Sequence, residues 1–80
     1  MSIDVETIER LMLRYWKPEM AKPEDLRQIA GEIMKTARRA SSIEAFKSEL
    51  AKVQVNRLHQ KLDKEACDDI ATRVFAAAHA

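Results

Sequence analysis

Apolar residues recur at helical spacing along nearly the whole chain, and little interrupts them. The 80 residues include one glycine and two prolines, and both prolines, Pro18 and Pro23, fall within one short window. Apolar positions three and four residues apart are typical of amphipathic helices, whereas strands alternate with a period of two. The pattern predicts an all-α protein: a single domain over 1–80 that forms a compact four-helix bundle, with helices at about 4–16, 23–40, 42–61 and 64–78.

The prolines and an aspartate set the predicted limits of the first two helices. Asp4 can accept hydrogen bonds from the free amides of the first turn, so helix 1 should begin there. Pro18 disfavours helical geometry at Lys17, so this helix should end near Trp16. Pro23 suits the first position of helix 2, where a missing amide has no cost. The segment 17–22 is therefore predicted to be the main loop.

Capping patterns also predict the starts of helices 3 and 4. Ser41 and Glu44 have the spacing of a capping box, and Asp63 is the next candidate N-cap. Helices 2 and 3 would then be joined by almost no loop, which predicts an antiparallel hairpin that forms the spine of the bundle. The alanine-rich tail, 76–80, is expected to fray.

Three of the four predicted helices have one face that we expect to be buried. These faces comprise Val5, Ile8, Leu11, Met12 and Tyr15 in helix 1; Leu26, Ile29, Ala30, Ile33, Met34, Ala37 and Ala40 in helix 2; and Ala66, Cys67, Ile70, Ala71, Val74, Ala77 and Ala78 in helix 4. Leu13 points away from the stripe of helix 1, and Trp16 lies at its edge. Phe75 lies at the rim of helix 4.

Helix 3 differs because it carries two apolar stripes. The first stripe consists of Ile43, Phe46, Leu50 and Val53, and the second, about a third of a turn around the helix, of Ala51, Val55, Leu58 and Leu62. In one interpretation, helix 3 is central and packs against helix 2 at one end and helices 1 and 4 at the other. In the other, the second stripe binds another chain. The candidate interface is then the set Leu13, Trp16, Ala51, Val55, Leu58 and Leu62.

The outer side of helix 2 carries four cations, which we call the basic face: Arg27, Lys35, Arg38 and Arg39. Such a face can bind the phosphates of a nucleic acid. It is equally typical of a solvated helix surface whose last arginines favour the helix dipole. The formal net charge of +1 favours the second interpretation, because it provides little long-range attraction for a polyanion.

No residue pattern indicates catalysis, a cofactor or a metal. His59 and His79 lack a second ligand at the spacing that zinc sites use. Cys67 falls on the apolar face of helix 4, where packing as a small hydrophobe is its expected role. The acidic residues near the start of helix 4 favour the helix dipole and have no partner pattern of a catalytic carboxylate pair. We therefore expect that the chain is not an enzyme.

Composition narrows the expected setting and partners. A single cysteine cannot form an intrachain disulfide, which favours the cytoplasm over secretion. The start, Met1–Asp4, has no signal-peptide pattern, and no apolar run is long enough to span a membrane. The leading hypothesis is a small non-catalytic protein–protein interaction or regulatory module that self-associates through helix 3. Its partner would be another protein or a second copy of itself. The alternative is a nucleic-acid-binding regulator that uses the basic face.

Overall fold

Four α-helices make up the structure, a computed structural model that describes residues 3–19 and 21–80. The helices are α1 (Val5–Tyr15), α2 (Pro23–Arg39), α3 (Ile43–Lys52) and α4 (Lys64–Ala78), and a π-helical turn, Val53–Arg57, continues α3. No strand occurs in the described segments. The prediction of an all-α four-helix bundle is therefore confirmed. Met20, which was predicted to lie in the 17–22 loop, is outside the described residues, as are Met1 and Ser2.

Both ends of α1 form as the sequence predicts. The Thr7 amide donates to Asp4 Oδ1 at 2.8 Å, and Thr7, through its hydroxyl and then its amide, holds the pKa of Asp4 below its usual value. At the other end Lys17 adopts a left-handed conformation with φ of 49°, and its amide donates to the Met12 carbonyl at 3.1 Å. This conformation is the usual way to stop a helix, and it avoids the helical geometry that Pro18 disfavours.

The start of α3 differs by one residue from its predicted position. Ser42, and not Ser41, is the N-cap, and its Oγ accepts from the Ala45 amide at 3.2 Å. With Ser42 as the cap, Glu44 no longer occupies the third helical position, so the predicted capping box does not form. The cap at Asp63 is confirmed, since its Oδ1 accepts from the Ala66 amide at 3.1 Å.

The core takes residues from all four helices. Buried apolar side chains are Ile8, Met12, Trp16, Leu26, Ile29, Ala30, Ile33, Ala37, Phe46, Leu50, Ala66, Cys67, Ile70, Ala71 and Val74. The main helix pairs are α1 with α2 and α3 with α4, and α4 also lies against α1 and α2. The contact between α2 and α3 is the smaller one, so the prediction that this hairpin is the spine is wrong. Both α2 and α4 contact each of the other three helices, and the contacts of α4 are the more evenly shared among them.

The C-terminal tail is tied to the bundle and does not simply fray. The ring of His79 stacks on Phe75 with 4.2 Å between centroids, and its Nε2 lies 2.7 Å from the Ala37 carbonyl. That carbonyl accepts a hydrogen bond, so the ring nitrogen must donate. The tail thereby connects the end of α4 to the last turn of α2. Within the described residues, no helix combines the length and the apolar content required to cross a bilayer.

Gly31 provides a test of how closely α2 is packed. Among the described residues, no heavy atom outside the helix's own backbone lies within 4 Å of the place that a Cβ would take. Gly31→Ala should therefore raise the free energy of unfolding by about 0.5–1 kcal/mol, because alanine restricts the unfolded chain and favours the helix. Urea denaturation followed by circular dichroism measures this. Gln28→Ala, at an exposed site in the same helix, is the control and should change stability less. A loss of stability in Gly31→Ala would show that the space is filled in solution.

Candidate functional site

Helix 3 ends earlier than its apolar pattern predicts, and this changes the second stripe. Regular α-helix stops at Lys52, the π turn follows, and the Leu58 amide closes it with a bond of 3.1 Å to the Val53 carbonyl. His59 then takes a left-handed conformation, with φ of 54°. A π turn adds a residue to one helical turn and so shifts every later side chain around the axis. Leu58 is therefore rotated away from the stripe, and Leu62 lies beyond the end of the helix, so the two do not continue the stripe as one helix face.

A buried glutamine organises the segment that joins α3 to α4, here called the junction segment (53–63). Gln54 is only 2% exposed. Its Nε2 donates to Gln60 Oε1 at 3.0 Å, and Gln60 Nε2 donates to the Trp16 carbonyl at 3.0 Å. Its Oε1 accepts from the Asp63 amide at 3.0 Å and from the Cys67 thiol at 3.4 Å. We call this series of hydrogen bonds the Gln54 network.

The direction of every bond in the Gln54 network is set at its two ends. The Asp63 amide can only donate, so the atom of Gln54 that faces it must be oxygen. The Trp16 carbonyl can only accept, so the atom of Gln60 that faces it must be nitrogen. The bond between the two glutamines then has a single possible orientation. The network also satisfies a carbonyl at the end of α1, which has no partner within that helix.

Cys67 lies beneath the Gln54 network and is the single cysteine of the chain. Its side chain is buried, and burial raises the pKa of the thiol. The indole N–H of Trp16, which adjoins the sulfur, partly offsets this rise. Trp16 Nε1 is nevertheless the one buried side-chain nitrogen or oxygen in the described part of the chain that makes no hydrogen bond. A thiol in this setting is mostly protonated and shielded from reagents.

The residues of the candidate interface fall into an exposed group, a half-buried group and the buried Trp16. Leu13, Val55 and Leu62 are exposed, at 52%, 44% and 39% respectively. Ala51 and Leu58 are half-buried, and Leu58 packs against the core. The second stripe is thus neither wholly core nor wholly surface. Leu58 packs against the core, as the first interpretation expects, and binding of another chain by the exposed residues stays a prediction.

Trp16 was predicted to contribute to the interface, and the structure corrects this placement. Its side chain is 5% exposed and belongs to the core. The prediction placed Trp16 at the edge of the α1 stripe, but Trp16 keeps helical geometry as the C-cap and, four residues after Met12, continues the buried row of Ile8 and Met12. Burial of an indole contributes more than burial of any smaller side chain, and here it fills the space between the end of α1 and Cys67.

The basic face is only partly available to a polyanion. Arg27 Nε donates to Glu9 Oε1 at 2.8 Å, which pairs α2 with α1. Lys35, Arg38 and Arg39 are exposed and form no ion pair within residues 3–19 and 21–80. Three of the four predicted cations therefore remain free on the outer side of α2.

A concavity of about 600 Å³ lies beside the junction segment. Its walls are the loop after α1, the first half of α2 and residues 57–60; they carry Lys17, Glu19, Asp25 and His59, with Leu58 and Ile29 among the apolar lining. Arg57, also at this wall, pairs with Glu32 of α2. A concavity of this volume falls within the range of ligand pockets. Its charges have mixed sign, so it does not select one kind of ionic ligand.

Sequence reasoning missed Gln54, although a signal was present. Gln54 is four residues from both Leu50 and Leu58, so at helical spacing it falls at a buried position. A polar residue at such a position needs hydrogen-bond partners in the interior. The partners themselves, Gln60 and Asp63, follow from the fold and could not be identified from spacing. Within the described residues, no three His, Cys, Asp or Glu side chains are grouped so that they could hold a metal ion.

No protein-family model, no curated protein and no solved structure significantly matches this chain. Its function must therefore be inferred from its own residues.

The Gln54 network should contribute measurably to stability. Gln54→Leu keeps a similar side-chain volume but removes the partners of the Asp63 amide and the Gln60 carboxamide. Because these buried groups would then lack hydrogen-bond partners, the substitution should lower the free energy of unfolding by about 2 kcal/mol. Gln28→Leu makes the same change on the exposed side of α2 and should alter stability by less than about 0.5 kcal/mol. Equal losses in the two variants, measured by urea denaturation, would mean that the network adds nothing.

Proposed function

We propose that this chain is a small non-catalytic protein-interaction module that self-associates through the junction segment. The observation that carries this proposal is the exposure of Val55 and Leu62, two large aliphatic side chains on one short segment. The Gln54 side chain accepts a hydrogen bond from the Asp63 amide. Val55 directly follows Gln54 in sequence, and Leu62 directly precedes Asp63. Both apolar residues therefore lie on a single tightly closed loop.

The surroundings of these residues suit an interface between two proteins. Leu58 lies between them in sequence, is half-buried and also lines the concavity beside the junction segment, so the same segment carries apolar residues both on the surface and in a depression. Arg57 and Lys61 are exposed at its rim. An apolar centre with a charged rim is the usual anatomy of an interface.

The size of the apolar surface favours a weak complex. Full burial of an exposed aliphatic side chain contributes about 1.5–3 kcal/mol, and Val55 and Leu62 are already more than half covered. Two copies of the pair therefore contribute a few kcal/mol, which falls short of most of the association cost of about 4–15 kcal/mol, so the interface also requires contacts from Leu58 and the charged side chains around it. Self-association should accordingly appear at high protein concentration, in line with a reversible regulatory contact.

Two features support the remaining parts of the proposal. The one cysteine is a buried free thiol, which suits a reducing cytoplasm. The chain is proposed to lack catalytic activity because its titratable groups follow no acid–base or nucleophile pattern in sequence.

A nucleic-acid-binding regulator is the second candidate, favoured by the free cations of the basic face. Lys35, Arg38 and Arg39 are exposed within the last turns of α2. Three phosphate contacts would give modest affinity and a shallow salt dependence.

Sedimentation of the wild-type protein from about 10 µM to about 1 mM tests self-association. We expect the weight-average mass to rise with concentration in the wild type and to stay monomeric in the double variant Val55→Asp/Leu62→Asp, since a carboxylate cannot be buried there without a partner. Thr72→Asp, at an exposed site on α4, is the matched control and should behave as the wild type. A wild-type protein that remains monomeric at the highest concentration would disprove this proposal.

Gel-shift titration with a DNA duplex and with single-stranded RNA tests the second candidate. Binding at low salt should be lost in the triple variant Lys35→Glu/Arg38→Glu/Arg39→Glu and should weaken as salt rises. Arg27→Glu, which removes the cation already paired with Glu9, should have a smaller effect. Absence of binding to both nucleic acids at low salt rejects this function.

A further inference from the structure

The junction segment makes few contacts with the helices that it joins. Its side chains are exposed except for Val53, Leu58 and Gln60, which are half-buried, and Gln54, which is buried. Within the segment, two backbone hydrogen bonds follow the π turn: Leu58 to Val53 and Gln60 to Gln54, both at 3.1 Å. Segments that bury little apolar area open at a lower free energy than the whole fold.

Most polar contacts between the junction segment and the rest of the bundle run through the Gln54 network. The carboxamide of Gln54 bonds to Gln60 and Asp63, and through Gln60 it reaches the Trp16 carbonyl. The other tertiary polar contact is the pair of Arg57 with Glu32, and both of these side chains are 44% exposed. An exposed ion pair contributes little, so the buried amides are the main polar attachment of the segment.

Cys67 lies where an opening of this segment would uncover it. Its thiol donates to Gln54 Oε1 at 3.4 Å, and its side chain is 3% exposed. The neighbouring Trp16 Nε1 makes no hydrogen bond to the junction segment, so the indole does not help to hold the segment closed through a polar contact.

We propose that the junction segment opens from the bundle as a unit, with the Gln54–Gln60 amide pair as the latch that holds it closed over Cys67. Opening would change the positions of Val55 and Leu62 relative to each other, because the closed segment fixes both of them. In this one respect the inference rests on the proposed function: association and opening compete. The latch itself requires no partner.

The reactivity of Cys67 toward a disulfide reagent such as dithionitrobenzoate measures the opening under native conditions. The chain has one cysteine, so the rate reports a single site. We expect Gln54→Leu to raise the rate at least about tenfold, and Gln60→Leu to raise it in the same direction, because each breaks the amide pair. The rate should also depend weakly on low concentrations of urea, since local opening exposes little surface.

Ile33→Val is the matched control. Ile33 is buried in α2 at 1% exposure and is not part of the Gln54 network, so this change weakens the whole fold without removing a bond of the latch. It should leave the rate of Cys67 unchanged. If Ile33→Val accelerates the reaction as much as Gln54→Leu does, or if both glutamine variants react within twofold of the wild-type rate, the latch does not exist. If circular dichroism shows that Gln54→Leu is unfolded, Gln60→Leu alone is used for the comparison.

Protein concentration separates this inference from the proposed function. If association holds the segment closed, the wild-type rate should fall as concentration rises, and the Val55→Asp/Leu62→Asp variant should lose that dependence. A rate that is independent of concentration but still raised in Gln54→Leu would support the latch and contradict competition between association and opening, while sedimentation decides self-association itself.

Discussion

A buried carboxamide must find partners for both its oxygen and its nitrogen, and Gln54 finds them only when three parts of the chain stand in register. Its oxygen requires the Asp63 amide at the start of α4, and its nitrogen requires Gln60, which in turn reaches the Trp16 carbonyl at the end of α1. Since an unsatisfied buried amide is costly, this network favours one arrangement of these elements over others with equal apolar burial. The apolar core stabilises a bundle, and Gln54 selects the geometry of its junction.

The same constraint explains why apolar residues remain on the surface. The junction segment has to close within a few residues so that Gln54 meets both Gln60 and Asp63. That short path leaves Val55 and Leu62 outside the core, while Leu58 is partly covered. Surface apolarity here is thus a consequence of how α3 is connected to α4. A small domain has limited core volume, and residues that the connection turns outward have no other place to be buried.

Much of the fold followed from the spacing of apolar residues. The centres of the buried faces of α1, α2 and α4 were predicted correctly, and several predicted residues at their margins are half-buried, because each helix is regular and is limited by local signals such as Asp4, Pro18 and Asp63. The end of α3 could not be predicted, because no proline or glycine follows Lys52, and the helix ends where Gln54 bonds to Gln60 and Asp63, partners that apolar spacing does not reveal. The N-cap of α3 was ambiguous because two serines are adjacent. Trp16 was misplaced at the edge of the stripe although, four residues after Met12 and still in helical geometry, it continues the buried row of α1.

The single tryptophan of the chain has an indole that is buried, makes no hydrogen bond and adjoins a thiol. Those surroundings determine the wavelength and the intensity of its fluorescence. An apolar environment shifts indole emission toward the blue, and a nearby sulfur quenches it. The protein therefore carries, without any added dye, an optical reporter at the meeting point of α1, the junction segment and α4.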